Sequence, residues 1–190
     1  MNRHFKGDPS GPSSVKVFFA LWPDAAERIQ LSAWQAPLKQ LCGGREMRGE
    51  TLHNTLVFIG DVGRPRLEAL HLAAQEVSGE RFLLCFDTAR YWGHNHIVYA
   101  APSCLPQQLT QLVGTLEQSL VRHRFEFDRR AYQPHVTLLR NARWTDAPLP
   151  AMRQVCWQAS DFALLQSVQQ NGSVDYRVLA RFPLGWAAGE

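Results

Sequence analysis

The short pattern His-x-Thr-Leu occurs twice in this chain, once from His53 (HNTL) and once from His135 (HVTL). Both copies lie in runs of β-forming residues, and residues i and i+2 of a strand face the same way. Each copy therefore places an imidazole beside a hydroxyl, that of Thr55 in the first copy and that of Thr137 in the second. Two such strands side by side would build a pocket with two imidazoles and two hydroxyls.

This set of groups suits the chemistry of phosphate esters. A neutral imidazole can accept a proton from water while a charged one donates a proton to the leaving oxygen, since the reference pKa of histidine is about 6.5. Threonine hydroxyls can donate hydrogen bonds to the non-bridging phosphate oxygens. We therefore predict that His53 and His135 are catalytic and that Thr55 and Thr137 bind phosphate. Neither a metal nor a cofactor is required by this prediction.

The repetition gives the signal its specificity. One His-x-Thr arises often by chance, whereas two copies, each in an apolar run and each followed by leucine, are a stronger indication. The alternative, that two unrelated core strands happen to carry His and Thr, remains open on the pattern alone.

A further alternation, His94 and His96, invites comparison with a metal site. Histidine metal sites are completed by other His, Cys, Asp or Glu ligands at short spacing, and only the distant Asp87 accompanies this pair. We therefore place the pair at the tip of a hairpin and predict no metal site.

Four aromatic residues are candidates for stacking on a nucleobase: Phe18, Phe19, Tyr91 and Trp92. Stacking on aromatic side chains is a common way to hold unpaired bases. The alternative is a place in the core. It must apply to at least one of Phe18 and Phe19, because neighbours on a strand face opposite ways.

The composition permits one domain, or two small lobes that share a core, since the chain has 190 residues and 45% of them are hydrophobic. The formal net charge of +3 tolerates an anionic substrate, but the chain lacks the dense basic stripe of a dedicated duplex-binding protein. Four arginines are either an approach for RNA phosphates or ordinary solvated charge: Arg45, Arg48, Arg129 and Arg130.

The four cysteines, Cys42, Cys85, Cys104 and Cys156, form no CxxC pair. This usage favours reduced thiols in a cytoplasmic protein. The first apolar run, residues 17–22, is too short for the core of a signal peptide and stops at Pro23. No run is long enough to span a membrane.

The order of apolar patterns predicts an α+β protein. Residues 1–14 are predicted to be a flexible tail and residues 15–190 a single domain. Asp24 and Glu27 have the spacing of a capping box, Pro37 should kink or shorten the helix that they open, and the glycines at 43–44 should end it. The other predicted helices are 64–77 and 105–120. The predicted strands are 15–22, 51–59, 82–92, 96–101, 125–127, 135–140, 161–169 and 174–182, the last two joined by Asn171-Gly172.

Around the two motifs the sequence resembles the two-histidine phosphoesterase superfamily, and most of all its RNA 2′,3′-cyclic phosphodiesterase branch, the LigT-like or 2′-5′ RNA ligase family. The resemblance covers nearly the whole chain after the tail. It rests on VFFALWP at 17–23, LHNTLVFIG at 52–60 and QPHVTLLR at 133–140, followed by Ser167, Tyr176 and Pro183-Leu184 in the closing hairpin.

The resemblance implies a bilobal fold in which mostly antiparallel sheets line a central cleft and helices pack outside. It implies metal-independent hydrolysis of RNA 2′,3′-cyclic phosphate ends to 2′-phosphomonoesters, with His53 as proton donor, His135 as proton acceptor and Arg140 on the phosphate. RNA ends would be the partner, without a membrane or an obligate protein partner. The alternatives are a phosphodiesterase or ligase acting on 2′-5′ linked oligonucleotides, a phosphodiesterase of small cyclic nucleotides, and a non-catalytic module that binds RNA ends.

Two residues raise questions within this resemblance. Asn54 stands where the family usually has an apolar residue, and its side chain should point away from His53, so its effect concerns packing. Strict strand alternation puts Arg140 opposite to His135 and Thr137. Arg140 can therefore reach the pocket only if the strand bends or ends nearby.

Overall fold

The computed structural model describes residues 13–144, 146–170 and 172–185. Its strands are β1 (Ser14–Leu21), β2 (Arg45–Glu46), β3 (Asn54–Gly63), β4 (Phe82–Phe86), β5 (Thr88–Trp92), β6 (Ile97–Ala101), β7 (Val136–Arg140), β8 (Val155–Ala159), β9 (Asp161–Gln170) and β10 (Ser173–Pro183). Its α-helices are α1 (Ala25–Ser32), α2 (Gln35–Cys42), α3 (Leu67–Gln75) and α4 (Gln107–Arg122). Short 3₁₀ turns span Gly49–Thr51 and Arg64–Arg66.

The sheet is antiparallel throughout its named pairs, which confirms the α+β class. Strands follow the order β10-β9-β1-β3-β7-β6-β5, with β2 beside β7, and a separate pair is formed by β4 and β8. The two motif strands, β3 and β7, are neighbours at the middle of this order. They share one paired position among the described residues, Asn54 opposite Val136.

The first strand separates two apolar environments. Val17, Phe19 and Leu21 belong to the main core, whereas Phe18 and Ala20 face the other side of the sheet and form a smaller cluster with residues of β9. The helices contribute their apolar faces to the main core, for example Leu31, Leu38, Leu70, Leu109 and Leu116. The helices therefore cover one side of the sheet, and the side that carries Phe18 and Ala20 does not face the main core.

The predicted first helix is divided into two. The capping box is present, because the Asp24 carboxylate accepts from Glu27 N and the Glu27 carboxylate accepts from Asp24 N. The chain leaves the helix after Ser32, and Pro37 lies within the first turn of α2, where proline is tolerated. Gly43 ends α2 with a φ of 61°, as its position predicted.

Both motif strands carry a β-bulge after the threonine. On β7, Thr137 pairs with Tyr99 of β6 and Leu139 pairs with Val98, so Leu138 is the extra residue. A bulge sets two residues against one and restarts the alternation out of phase. Leu138 and Leu139 are accordingly both buried, and the residues on either side of them face outward.

The bulge on β3 has the same form. Thr55 pairs with Ala20 of β1 and Val57 pairs with Phe19, so Leu56 is the extra residue. Leu56 and Val57 are both buried while Phe58 is exposed.

Two predicted strands differ from the structure, and two observed strands, β2 and β8, were not predicted. Residues 82–92 divide at Asp87 into β4 and β5, which enter different sheets. Residues 125–127 form no strand, and β8 was missed. Helices α3 and α4 and the hairpin of β9 and β10 are confirmed within a few residues of their predicted ends; Asn171 in its turn lies outside the described residues.

The prediction of four reduced thiols is wrong for one pair. Cys85 and Cys156 form a disulfide between β4 and β8, where they are directly opposed in register. Cys42 is a buried free thiol and Cys104 an exposed one. The predicted tail falls almost entirely outside the described residues, and Ser14 already belongs to β1. No helix of the described segments is both long and apolar enough to cross a membrane.

Candidate active site

The first imidazole is held by backbone next to the start of β3. His53 Nδ1 lies 2.7 Å from the carbonyl oxygen of Thr51, and His53 Nε2 lies 3.1 Å from the hydroxyl oxygen of Thr55. A carbonyl oxygen can only accept, so Nδ1 carries a hydrogen and donates it. In the neutral ring Nε2 is then the basic nitrogen.

The second imidazole is held in the same way next to the start of β7. His135 Nδ1 lies 2.8 Å from the carbonyl oxygen of Gln133, again two residues upstream. Nε2 of His135 is therefore the nitrogen that can exchange a proton with a ligand. Each motif thus supplies one imidazole in a fixed tautomer, as the proton-transfer chemistry of the sequence motif requires.

The two motifs meet in one cavity of about 190 Å³. Both histidines and both threonines line it, together with Arg140. The remaining lining residues are Lys16, Phe18, Met47, Thr51, Phe58, Ser167 and Tyr176. None of the described lining residues is acidic, whereas Lys16 and Arg140 are basic, so the cavity favours an anion.

Arg140 lines this cavity because of the bulge in β7. Without the extra residue Leu138, its side chain would leave the opposite face from Thr137. The bulge is held by buried hydrogen bonds: the Leu138 carbonyl accepts from Met47 N at 2.9 Å and from Gln35 Nε2 at 3.0 Å. The sequence-based doubt about Arg140 is thus answered by a local irregularity of the strand.

Phe58 occupies the corresponding place in the first motif. It lies five residues after His53, as Arg140 lies five residues after His135, and it too follows a bulge. Its side chain is 43% exposed and lines the cavity. Extending the comparison of the two motifs by two residues would have singled out Phe58 from the sequence.

Burial governs the charge of both imidazoles. It lowers the pKa of His53 to about 4, opposed by the bond to Thr51 and reinforced by His135 and Arg28. Burial also lowers the pKa of His135, again opposed by its backbone bond and reinforced by Arg140. Both rings are therefore neutral in the free protein near pH 7, and a bound anion would favour their charged forms.

Aromatic rings enclose His53. Phe18 has its ring centroid 5.0 Å from that of His53, Tyr176 also 5.0 Å in an edge-on arrangement, and Trp22 5.7 Å in a stacked one. The Arg28 guanidinium lies 4.3 Å from the centroid of Trp22, on the cation–π pattern. Sequence reasoning included Trp22 only within the segment VFFALWP and singled out neither Trp22 nor Arg28 as a site residue.

The four aromatic candidates for base stacking separate by position. Phe19 is fully buried against Phe162 and Phe182, so the stacking interpretation is wrong for it. Phe18 lines the cavity but is 3% exposed. Its ring packs against His53 and has little surface left for a nucleobase.

The other two candidates lie on β5. Tyr91 donates its hydroxyl hydrogen to the carbonyl of Ala142 at 3.1 Å and packs beside Trp144, so it supports a loop and does not line the cavity. Trp92 stacks on Tyr99 at 4.0 Å and meets the ring of His135 edge-on at 4.6 Å. Of these two, Trp92 remains the candidate near the site.

Three of the four candidate arginines have local partners. Arg48 binds the carboxylates of Asp175 and Glu50, and Arg130 binds Asp128. The Arg129 guanidinium lies 5.3 Å from the centroid of the Phe127 ring.

Arg45 has a different environment. It stands directly opposite Arg140 across β2 and β7, and opposed residues of an antiparallel pair project from the same face. Gly44 shows how closely the chain approaches β7 here: a Cβ at that position would lie 2.7 Å from the Arg140 carbonyl oxygen. Two like charges in opposed positions are destabilising, and of this pair Arg140 lines the cavity.

The histidines outside the motifs do not gather into a metal site. His96 Nδ1 lies 3.0 Å from the Tyr91 hydroxyl, and His94 lies in the same turn between β5 and β6. Across the described residues, no group of three or more His, Cys, Asp or Glu side chains is placed to hold a metal ion.

A family model described as the 2′-5′ RNA ligase superfamily matches residues 21–171. That is most of the chain, and it includes both motifs. The chain belongs to the 2′-5′ RNA ligase superfamily. The assignment is consistent with a curated relative, the RNA 2′,3′-cyclic phosphodiesterase of Escherichia coli K12, which is 30% identical over 169 residues, or 89% of this chain and 96% of the relative.

Solved structures of this superfamily share the fold. The apo form of Escherichia coli LigT has a TM-score of 0.83 and 28% identity, with coverage of 92% of this chain and 99% of that one. LigT complexed with 3′-AMP has a TM-score of 0.81 and 29% identity, with coverage of 90% and 98%. The predicted phosphoesterase fold is thereby confirmed.

Proposed function

We propose that this protein hydrolyses RNA 2′,3′-cyclic phosphate ends to 2′-phosphomonoesters. The observation that carries the proposal is the shared cavity of the two motifs, in which each imidazole is fixed through Nδ1 and offers Nε2. The relative named RNA 2′,3′-cyclic phosphodiesterase supports the choice of substrate. RNA ends are then the partner and the cytoplasm the proposed location.

In the proposed mechanism the cyclic phosphate lies between the two motifs. His135 Nε2 takes a proton from water as the water oxygen attacks phosphorus, and His53 Nε2–H gives a proton to the departing O3′. The P–O3′ bond breaks and the product carries a 2′-phosphate and a 3′-hydroxyl. Attack in line with the leaving oxygen requires donors and acceptors on opposite sides of phosphorus, which two separate motifs can supply.

Each remaining group has a part in this scheme. The hydroxyls of Thr55 and Thr137 donate to non-bridging oxygens, and the Arg140 guanidinium offsets their charge. Burial makes the imidazolium of His53 a stronger acid than free imidazolium, which suits proton donation. Mutual repulsion between His53 and His135 disfavours the state in which both are charged.

The outer rim of the cavity suits the rest of an RNA end. The exposed ring of Phe58 offers a face to a nucleobase. Arg45, beside Arg140, offers a cation to the phosphodiester of the preceding nucleotide.

A second candidate function is the formation or cleavage of 2′-5′ linkages, which the description of the matching family favours. A 5′-hydroxyl in place of water would open the cyclic phosphate by the same proton transfers and leave a 2′-5′ diester with a free 3′-hydroxyl. The reaction would use the same imidazoles in the same roles.

The test is incubation with an oligonucleotide that ends in a 2′,3′-cyclic phosphate, with EDTA present, followed by identification of the product end. We expect turnover to a 2′-phosphate. A 3′-phosphate would require the two histidine roles to be reassigned. Activity lost in EDTA and restored by a divalent ion would contradict the metal-free mechanism, and binding without turnover would favour a non-catalytic RNA-end-binding module. Adding an acceptor with a 5′-hydroxyl separates ligation from hydrolysis.

A further inference from the structure

The residue between His53 and Thr55 is a buried amide. Asn54 has no exposed surface, although a primary amide loses free energy on burial unless its groups are hydrogen-bonded. Its Oδ1 accepts the backbone hydrogen of His135 at 3.2 Å, and its Nδ2 donates to the Tyr132 hydroxyl at 3.1 Å. The orientation of the amide follows from chemistry, since the His135 N–H can only donate and must face the oxygen.

The Asn54 amide connects the two motif strands, which have little backbone pairing with each other. Strands β3 and β7 share one paired position in the described residues, Asn54 opposite Val136. The hydrogen bond from His135 N adds a second connection, and it ends on the catalytic residue itself. The backbone that carries one histidine is thereby tied directly to a side chain adjacent to the other.

We infer that Asn54 is a positioning residue that sets where the His135 imidazole stands relative to His53. The inference rests on the proposed two-histidine mechanism. It follows because the other contacts of His135 orient its ring: Nδ1 is bonded to the Gln133 carbonyl, and Trp92 meets the ring edge-on. Neither contact holds the main chain of His135, which lies just before β7. The Asn54 bond fixes the main chain of His135, and the Gln133 bond fixes its ring.

Tyr132 supplies the matched control. Its hydroxyl accepts from Asn54 Nδ2 at 3.1 Å and lies 3.5 Å from Asn54 Oδ1, and it does not line the cavity. Tyr132→Phe removes a buried hydrogen bond of the same network but leaves the Asn54 oxygen on His135 N. Asn54→Leu removes both bonds and keeps a similar volume. A role limited to packing predicts similar kinetic effects from the two variants.

Asn54→Asp tests rescue. One carboxylate oxygen can accept from His135 N and the other from the Tyr132 hydroxyl, so both connections survive. The added negative charge favours the charged imidazole and should raise the pKa of His135.

The experiment compares the four proteins, parent included, by thermal unfolding, by kcat and KM on a 2′,3′-cyclic phosphate oligonucleotide across pH, and by NMR titration of the imidazoles without substrate. A displacement of about 1 Å at a catalytic group costs on the order of 100-fold. We therefore expect Asn54→Leu to lower kcat about 10- to 100-fold with KM little changed. Tyr132→Phe should keep most of the parental kcat. Asn54→Asp should recover much of the lost kcat, with the His135 titration moved to higher pH.

A folded Asn54→Leu protein with parental kcat and imidazole titrations would overturn the inference, as would equal kinetic losses in Asn54→Leu and Tyr132→Phe. If the parent itself fails to turn over, the proposed function fails, while the titrations still report whether Asn54 sets the environment of His135.

Discussion

Thr137 and Arg140 face the same cavity from β7, although they are three residues apart on one strand. Regular alternation would send them to opposite faces. The bulge at Leu138 reverses that relationship, and the side chain of Gln35 holds the bulge from behind. A residue of α2 is therefore bonded to the strand irregularity that turns Arg140 toward the cavity.

Gln35→Leu should weaken phosphate binding from a distance. The change removes the side-chain donor to the carbonyls of Met47 and Leu138, although the Leu138 carbonyl keeps its bond from Met47 N. A carbonyl left buried and unpaired costs about 1–3 kcal/mol. We expect lower stability and part of the loss of kcat/KM shown by Arg140→Gln. The measurement is kcat/KM of the parent and both variants at a temperature well below their unfolding temperatures. Lower stability with parental kcat/KM would show that the bulge persists without Gln35.

His53→Ala and His135→Ala should each lower the rate by about 10²–10⁴, the usual contribution of a general acid or base. Thr55→Ala and Thr137→Ala should cost less, because each removes one neutral donor. His94→Ala, in the turn after β5, is the control and should remain close to the parent. Circular dichroism checks that each variant is folded. A greater loss from His94→Ala than from His53→Ala would contradict the site.

The optimum of kcat should lie at higher pH than that of kcat/KM. The profile of kcat/KM reports the free enzyme, in which burial lowers the pKa of both His53 and His135. Bound phosphate is an anion and raises both pKa values, so the limbs of the kcat profile move upward in pH. Initial rates from about pH 4 to about pH 9 test this. Coincident profiles would show that the substrate does not offset the burial of the imidazoles.

Arg45→Gln should discriminate between long and short substrates. If Arg45 meets the preceding phosphodiester, the variant loses kcat/KM on a cyclic-phosphate oligonucleotide and keeps it on a mononucleoside 2′,3′-cyclic phosphate. The difference should shrink as salt rises, since the contact is ionic. Arg143→Gln serves as a control of equal charge change at a position that is not paired with Arg140 across the strands. Equal losses on both substrates would place Arg45 in another role.

Thiol titration of the denatured protein should find two groups without reductant and four with it. Cys42 and Cys104 are free, whereas Cys85 and Cys156 are joined. Reduction should lower the unfolding temperature, because the link closes a separation of 71 residues. It should leave KM unchanged, since neither β4 nor β8 lines the cavity. Four reactive thiols without reductant would contradict the bond.

The sequence predicted which residues meet in the cavity better than it predicted the contacts that orient them. His53 and His135 stood out because their motif repeats, and β1, α3, α4 and the closing hairpin followed from periodicity. Arg140 was uncertain because a bulge adds a residue without leaving a composition signal.

The remaining misses depend on contacts between distant segments. Asp87 separates β4 from β5, although the sequence pattern of residues 82–92 predicts one continuous strand. The bond between Cys85 and Cys156 depends on the pairing of β4 with β8, which lie far apart in the chain. The polar partners of Asn54 come from residues 78 and 81 positions away. Local propensity reports none of these.

Each half of the cleft offers an imidazole anchored two residues upstream, a hydroxyl two residues downstream and an outward residue after a bulge. The two motifs thus repeat the same local arrangement, and each carries one His and one Thr. A substrate has no such repetition: its cyclic phosphate has a base on one side and a chain on the other. The polarity with which RNA enters must therefore come from what distinguishes the two motifs, above all the exchange of an aromatic ring at Phe58 for a cation at Arg140. Which histidine meets O3′ is decided by residues that transfer no proton.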